Sequence, residues 1–71
     1  MLNTRLELHD RSTNAHKYHM LQEIGKKTNM VLVRWGRCLG RDIIGGEQII
    51  EFTQAMKKLK EKRRKGYVDV Y

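Results

Sequence analysis

The residues best suited to hold a ligand are the single tryptophan, Trp35, and two arginines close to it, Arg34 and Arg37. They directly follow an apolar run, residues 30–33, which is typical of a strand. Because successive side chains of a strand point to opposite faces, Trp35 and Arg37 should lie on one face and Arg34 on the other. An indole offers a stacking surface, and a guanidinium offers a planar fork of donors to an anion. The pair predicts a contact for a sugar, a base or a phosphate. In the alternative interpretation, Trp35 is a core residue of a small domain and Arg37 is solvated.

Other reactive side chains do not form a catalytic pattern. There is neither a Ser/His/Asp order nor a phosphate-cradling glycine loop, so we expect no enzyme and no cofactor. His16 and His19 point to opposite faces of a predicted strand, so together with His9 they are expected to be surface histidines and not metal ligands. The only cysteine, Cys38, is expected to be a small buried hydrophobe and not a reactive thiolate.

The charge distribution narrows the classes of partner. Fifteen basic residues against eight acidic ones give a net charge of +7 in 71 residues. The excess lies after residue 24: residues 25–46 carry five basic and one acidic group, and residues 47–71 carry seven and four. Such a charge favours nucleic acid or an anionic membrane surface as the partner.

Length and composition predict one domain over residues 1–71, without a membrane span, because no apolar run approaches the roughly 20 residues that a bilayer requires. A lone cysteine fits a reducing compartment. The expected location is therefore cytoplasmic, or nuclear in a eukaryote.

The hydrophobic pattern predicts an α+β fold, a small antiparallel β-sheet with one α-helix packed on it. Alternation indicates strands at about 3–9, 17–24 and 30–38, a short return strand at 42–44 and a final strand at 67–71. Turn residues separate them at 10–14 and 25–29. A helix is predicted at about 47–65, or from a later start if residues 47–52 extend the return strand. Residues at spacings of three and four form one stripe of this helix: Ile49, Phe52, Met56, Leu59 and Arg63, of which the first four are expected to pack on the sheet. Gly66 is placed to end the helix.

Three signatures in this order resemble the WGR domain, a family named for the tripeptide Trp35-Gly36-Arg37. The first is an Asn, a Lys-aromatic pair, an apolar residue and a Gln; the second is the tripeptide with a preceding Arg; the third is a basic helix that closes on Lys-Gly-Tyr. In this chain they stand as Asn14, Lys17-Tyr18, Leu21 and Gln22; Arg34-Trp35-Gly36-Arg37; and Lys62 with Lys65-Gly66-Tyr67. The resemblance covers about residues 4–70 and implies a compact antiparallel sheet with one helix.

The resemblance also implies a binding function without catalysis. WGR domains of poly(ADP-ribose) polymerases bind DNA at strand breaks, with the motif tryptophan on the sugar-backbone and the motif arginine joining neighbouring domains. These roles fall on Trp35 and Arg37. The lysines at matching or nearby positions, expected to meet phosphates, are Lys17, Lys26, Lys27, Lys62 and Lys65.

The sequence departs from the family pattern in three places. His19 stands where the family has a second aromatic residue, and the segment after Arg37 is one residue longer than usual. The stretch from Trp35 to Tyr67 is shorter than usual, which predicts a trimmed return strand. The interdomain relay of the polymerases is not carried over, because the 71 residues hold no partner domain.

Two functions therefore follow as expectations. In the first, the chain binds DNA without sequence specificity, with a preference for ends or nicks. Its predicted nucleic-acid-binding residues are Lys17, Lys26, Lys27, Arg34, Trp35, Arg37, Lys62 and Lys65. In the second, Trp35 and Arg37 form a hot spot for a protein partner, since such sites are rich in Trp and Arg. The basic charge favours the first.

Overall fold

The computed structural model describes residues 2–25 and 29–71. In chain order these form strands β1 (Asn3–Asp10), β2 (Ala15–Glu23), β3 (Met30–Cys38) and β4 (Asp42–Glu51), helix α1 (Phe52–Arg64) and a short strand β5 (Val68–Asp69). Among the described helices, none has the length and apolar content needed to cross a bilayer. The predicted combination of an antiparallel sheet and one helix is confirmed.

The five strands pair antiparallel in the order β4-β3-β2-β1-β5. Residues that lie opposite one another project from the same face of the sheet. Leu21 of β2 lies opposite Val33 of β3, and the next pairs along the same face are His19 with Trp35 and Lys17 with Arg37. One face therefore changes from apolar to aromatic and cationic within four residues.

The hydrophobic core lies between this face and the helix, which contacts β3 and β4. In β3, Val31 and Val33 are fully or almost fully buried, and the helix contributes Ala55 and Leu59. The whole buried apolar cluster consists of Leu6, Leu21, Val31, Val33, Ile50, Ala55, Leu59 and Tyr67. Because the core occupies only the Val31–Val33 end of β3, the Trp35–Arg37 end of that face extends beyond it.

The start of the helix differs from the first prediction, and the alternative start is the correct one. Residues 47–51 continue β4, and the helix begins at Phe52. Ile50 lies opposite Val31 and is buried, whereas Ile49 lies opposite Leu32 and is 56% exposed. This alternation has the period of a strand, and pairing with β3 satisfies the backbone donors and acceptors of the segment. The return strand is accordingly ten residues long, and the predicted short strand at 42–44 is wrong in length.

The C-terminus of the helix has the predicted glycine. Gly66 has φ 104°, its N–H donates to the carbonyl of Arg63, and the N–H of Tyr67 donates to the carbonyl of Lys62. This pair of bonds is a Schellman motif. It turns the chain back over the sheet, so that Tyr67 is buried and lies within reach of Lys62 on the last turn of the helix.

The opposite face of the sheet has its own buried aromatic residue. Tyr18 is 1% exposed and lies under the guanidinium of Arg5, whose Cζ is 4.6 Å from the centre of the ring. Arg5 donates to both carboxylate oxygens of Asp42, at 2.7 and 2.8 Å, and to Glu7 at 2.7 Å. These ion pairs hold the guanidinium of Arg5 over the ring of Tyr18. Tyr18 is therefore covered by charged side chains, whereas the other face of the sheet is covered by the helix.

Candidate nucleic-acid interface

A β-bulge fixes the position of Trp35. The pairing of β3 with β4 shifts by one residue after Trp35, which lies opposite Gly46, while Gly36 lies opposite Ile44. A Cβ at Gly46 would stand 2.6 Å from Cζ2 of the indole, and one at Gly36 would collide with the carbonyl oxygen of Ile43. The glycines therefore allow the ring to lie directly on the backbone of β4.

Trp35 is not a core residue. It is 37% exposed, and its cross-strand neighbour His19 is only 5% exposed. The two ring planes lie within 18° of parallel, with centroids 6.1 Å apart, and the edge of His19 meets Tyr67 at a centroid distance of 6.4 Å. His19 thus fills the space between the two aromatic rings and leaves the indole partly open to solvent.

A groove lies along this row of rings, beyond the end of the helix. Its volume is about 330 Å³. We call it the Trp35 groove, and its lining consists of Lys17, Tyr18, His19, Trp35, Gly36, Arg37, Gly45, Lys62 and Tyr67. It combines the partly exposed indole of Trp35 with three cationic side chains, which suits a ligand with both flat rings and negative charge.

The cations of the groove are not neutralised by acidic neighbours. Within residues 2–25 and 29–71, neither Lys17 nor Arg37 has an ion-pair partner. The ammonium of Lys62 stands 5.1 Å from the centre of the Tyr67 ring, a cation–π contact. Desolvation, and then the charges of Lys65, Lys58 and Lys17, lower the pKa of Lys62. Several lysines therefore place their positive charge in one region, where an anion would relieve their repulsion.

His19 has an unsatisfied polar atom at this site. Its Nε2 is buried and has no hydrogen-bond partner among the described residues. Burial, with smaller contributions from Lys62 and Lys58, lowers the pKa of His19 to about 4. The imidazole is therefore neutral at physiological pH. A buried polar atom without a partner costs about 1–3 kcal/mol, which a ligand that bonds to it would recover.

The structure brings together four of the predicted binding residues and separates others. Lys17, Trp35, Arg37 and Lys62 line the Trp35 groove. Lys65 caps the helix, is exposed and lies close enough to affect Lys62. Arg34 projects from the opposite face and pairs with Glu47 at 2.9 Å, so it does not belong to the groove. Lys26 and Lys27 lie outside the described residues.

A second cavity adjoins the Trp35 groove and shares Lys17 and Arg37 with it. Its volume is about 340 Å³. Its other lining residues belong to the turn between β1 and β2, where Asn14 has φ 54°, to the start of β2 and to the segment after β3. The complete lining consists of Thr13, Asn14, Ala15, His16, Lys17, Arg37 and Leu39. Asn14 therefore serves the turn, as its type predicts, and the two shared cations lie between both depressions.

Five lining residues were not identified as binding residues from the sequence: Tyr18, His19, Gly36, Gly45 and Tyr67. Strand alternation already assigns His19 to the face of Lys17, but the register that sets it beside Trp35 requires the paired strands. Tyr67 enters the groove only because of the Schellman turn. Gly45 is the extra residue of the bulge, and a Gly-Gly pair predicts only a break.

Comparison with known proteins gives one match. The family model described as the WGR domain matches residues 2–71, nearly the whole chain. No curated protein and no solved structure matches the chain.

Proposed function

Because the chain belongs to the WGR domain family, known for nucleic-acid-binding modules, we propose that it binds DNA without sequence specificity through the Trp35 groove. The observation that carries the proposal is the pairing of an exposed Trp35 with unneutralised cations, Lys17 and Arg37, on one face of rigid strands. Stacking on an aromatic ring does not discriminate among bases, since every base has a π-face. The absence of sequence preference follows from that chemistry.

The phosphate backbone is the second ligand group. Lys17, Arg37 and Lys62 present three positive charges around the groove, and Lys65 adds a fourth near the end of the helix. Each neutralised phosphate releases counterions, with a slope of roughly −0.9 in log affinity against log salt for duplex DNA. Contact by three or four of these cations gives a slope of about −3 to −4.

His19 adds a contact that the usual aromatic residue at this position does not offer. Its Nε2 accepts or donates one hydrogen bond according to its tautomer. A sugar hydroxyl or a phosphate oxygen held against Trp35 supplies the partner that Nε2 does not find among the described residues.

A preference for ends or nicks follows from the same stacking contact. The faces of bases inside a duplex are already stacked, and a terminal nucleotide presents one face without disruption of the helix. The Trp35 ring is 37% exposed and can accept such a face. Competition by linear DNA should therefore exceed competition by covalently closed circular DNA of the same sequence.

Two lysines of the helix provide the test. Lys62 lines the groove, whereas Lys60, two residues earlier, projects about 200° away around the helix and is exposed. Lys62→Ala should weaken binding to a labelled duplex and reduce the salt slope by about one unit, and Lys60→Ala should change neither. Titration by fluorescence anisotropy at several salt concentrations measures both quantities. Equal effects of the two substitutions would show that the net charge alone attracts DNA.

A second candidate function is protein binding through Trp35 and Arg37. Apolar side chains near Arg37 favour it: Leu39, Ile43 and Ile44 are 51%, 44% and 60% exposed, and Ile43 lies opposite Arg37. Arg37→Ala should weaken DNA binding if Arg37 meets phosphate, and should leave DNA binding intact if it serves a protein partner. Arg34→Ala is the matched control, because it removes the same charge from the opposite face of β3.

A further inference from the structure

The face of the sheet opposite the Trp35 groove carries a second group of side chains with chemical potential. Glu7 and His9 alternate onto this face from β1, and His9 lies opposite His16 of β2. Lys17 pairs with Arg37, so the preceding His16 and the following Cys38 are adjacent on the same face. Three neighbouring strands thus bring an imidazole pair, a thiol and a carboxylate to one end of the sheet.

The atoms of these groups that could bind a metal ion lie close together. Glu7, His9 and Cys38 each offer one ligand atom, and the three atoms lie within 4.8 Å of one another. Nε2 of His9 is 2.7 Å from Oε1 of Glu7, and Nδ1 of His9 is 2.8 Å from Nδ1 of His16. Around a tetrahedral zinc ion with bonds of about 2.0–2.3 Å, ligand atoms stand roughly 3.3–3.7 Å apart. Movements of about 1 Å in partly exposed side chains would convert one arrangement into the other.

We propose that Glu7, His9 and Cys38 form a zinc site, with His16 as a positioning residue. The donor set of carboxylate, imidazole and thiolate suits Zn²⁺ better than Mg²⁺ or Ca²⁺, which take oxygen ligands. Zinc binds the tautomer of His9 whose Nδ1–H donates to Nδ1 of His16 and whose Nε2 lone pair faces the ion, and the thiol proton of Cys38 leaves to solvent. A water molecule completes the coordination, because the side chain of His9 is 50% exposed.

Two neighbours orient the ligands. The contact between the Nδ1 atoms of His9 and His16 orients the ring of His9, so that its Nε2 points toward Glu7. Arg5 donates to Oε2 of Glu7 at 2.7 Å, which leaves Oε1 for the ion. Arg5 also pairs with Asp42, so part of its positive charge is neutralised beside the site.

The expectation of surface histidines rested on His16 and His19 pointing to opposite faces, and they do, but it is wrong for His19, which is buried between two aromatic rings. His19 belongs to the Trp35 groove, and His16 contacts His9 on the other face. The candidate metal ligands that the sheet brings together are different ones, since Glu7 and Cys38 join His9. His19 is consequently an internal control.

Titration of the metal-free, reduced chain with Co²⁺ alone tests the site, since a thiolate ligand produces a near-ultraviolet charge-transfer band and tetrahedral coordination produces visible d–d bands. The expected stoichiometry is one ion per chain, and added Zn²⁺ should abolish both sets of bands. Cys38→Ser should abolish the charge-transfer band, and His9→Gln and Glu7→Gln should each weaken binding. His16→Gln should retain the spectrum and weaken affinity about tenfold.

His19→Gln should bind Co²⁺ as the parent does. Circular dichroism melts of each metal-free variant verify folding. Cys38→Ser and His9→Gln test the site independently, through loss of the charge-transfer band and through weaker Co²⁺ binding. The proposal is overturned if the parent shows no charge-transfer band, if His19→Gln weakens binding as much as His9→Gln, or if one ion joins two chains.

Discussion

At the scale of single residues, His19 combines two properties that oppose each other in a folded protein. It is titratable, and it is 95% buried between Trp35 and Tyr67, with an Nε2 that has no hydrogen-bond partner in the described part of the chain. The surrounding lysines, Lys62 and Lys58, disfavour its protonation further. Its position is therefore suited to a ligand that the protein alone does not supply.

The depressed pKa of His19, about 4 against 6.5 for an ordinary histidine, predicts a loss of stability in acid. In the unfolded chain His19 binds a proton below pH 6.5, whereas in the folded chain it binds one only below about pH 4. Stability is thus complete above pH 6.5 and falls by about 1.4 kcal/mol per pH unit toward pH 4. His19→Phe should remove this dependence between pH 6.5 and 5, as measured by urea denaturation at each pH. Parallel curves for parent and variant would refute it.

Gly46 provides a second test at residue scale. Gly46→Ala places a methyl group in the space of the Trp35 indole, where the distance to Cζ2 would be 2.6 Å. The ring must rotate away, so we expect a shift in Trp35 emission and weaker DNA binding. Gly45→Ala is the matched control, because its Cβ meets nothing closer than 3.4 Å. Unchanged emission and affinity in Gly46→Ala would show that the contact with Gly46 does not position the ring.

The sequence predicts Trp35 and the cationic residues of the groove, and little of its shape. Residue type and alternation suffice for Lys17, Trp35 and Arg37, since charge, stacking surface and strand period are local properties. The contacts of His19 depend on register, and the zinc-ligand set depends on three strands pairing in order. Such relations are non-local, and a single sequence does not encode them in any short window.

At the scale of elements, the boundary between β4 and the helix shows where periodicity misleads. Ile49 and Phe52 have the spacing of residues on one face of a helix. The same segment also fits the two-residue period of a strand, in which Ile50 is buried and Ile49 is exposed, as the structure shows. Pairing with β3 decides for the strand. The helix consequently buries Ala55 and Leu59, and Phe52 packs on the core from a partly buried position.

This correction predicts opposite outcomes for two apolar truncations. Leu59→Ala should destabilise the fold by about 2–5 kcal/mol, because Leu59 is 6% exposed in the core. Ile49→Ala should change the free energy of unfolding by less than about 0.5 kcal/mol, because Ile49 faces solvent. Chemical denaturation followed by circular dichroism measures both. A larger loss of unfolding free energy in Ile49→Ala would contradict this boundary and favour the longer helix from residue 47.

At the scale of the whole molecule, the two faces of the sheet use their charges differently. On the face opposite the helix, Arg5 pairs with Asp42 and Glu7, and Arg34 pairs with Glu47. On the face of the Trp35 groove, Lys17 and Arg37 have no such partner in the described part of the chain. The unpaired charges of Lys17 and Arg37 therefore lie on the face where the aromatic rings lie, which is where the proposed function places an anionic ligand.

The most direct test of the proposed function uses Trp35 as its own reporter, since it is the only tryptophan of the chain. A single titration with labelled duplex DNA should follow both the anisotropy of the label and the emission of Trp35, at low and at moderate salt. The account predicts that emission is quenched as anisotropy rises, with equal midpoints that move together to higher protein concentration as salt increases. A rise in anisotropy with unchanged Trp35 emission would contradict it, because DNA would then bind away from the Trp35 groove.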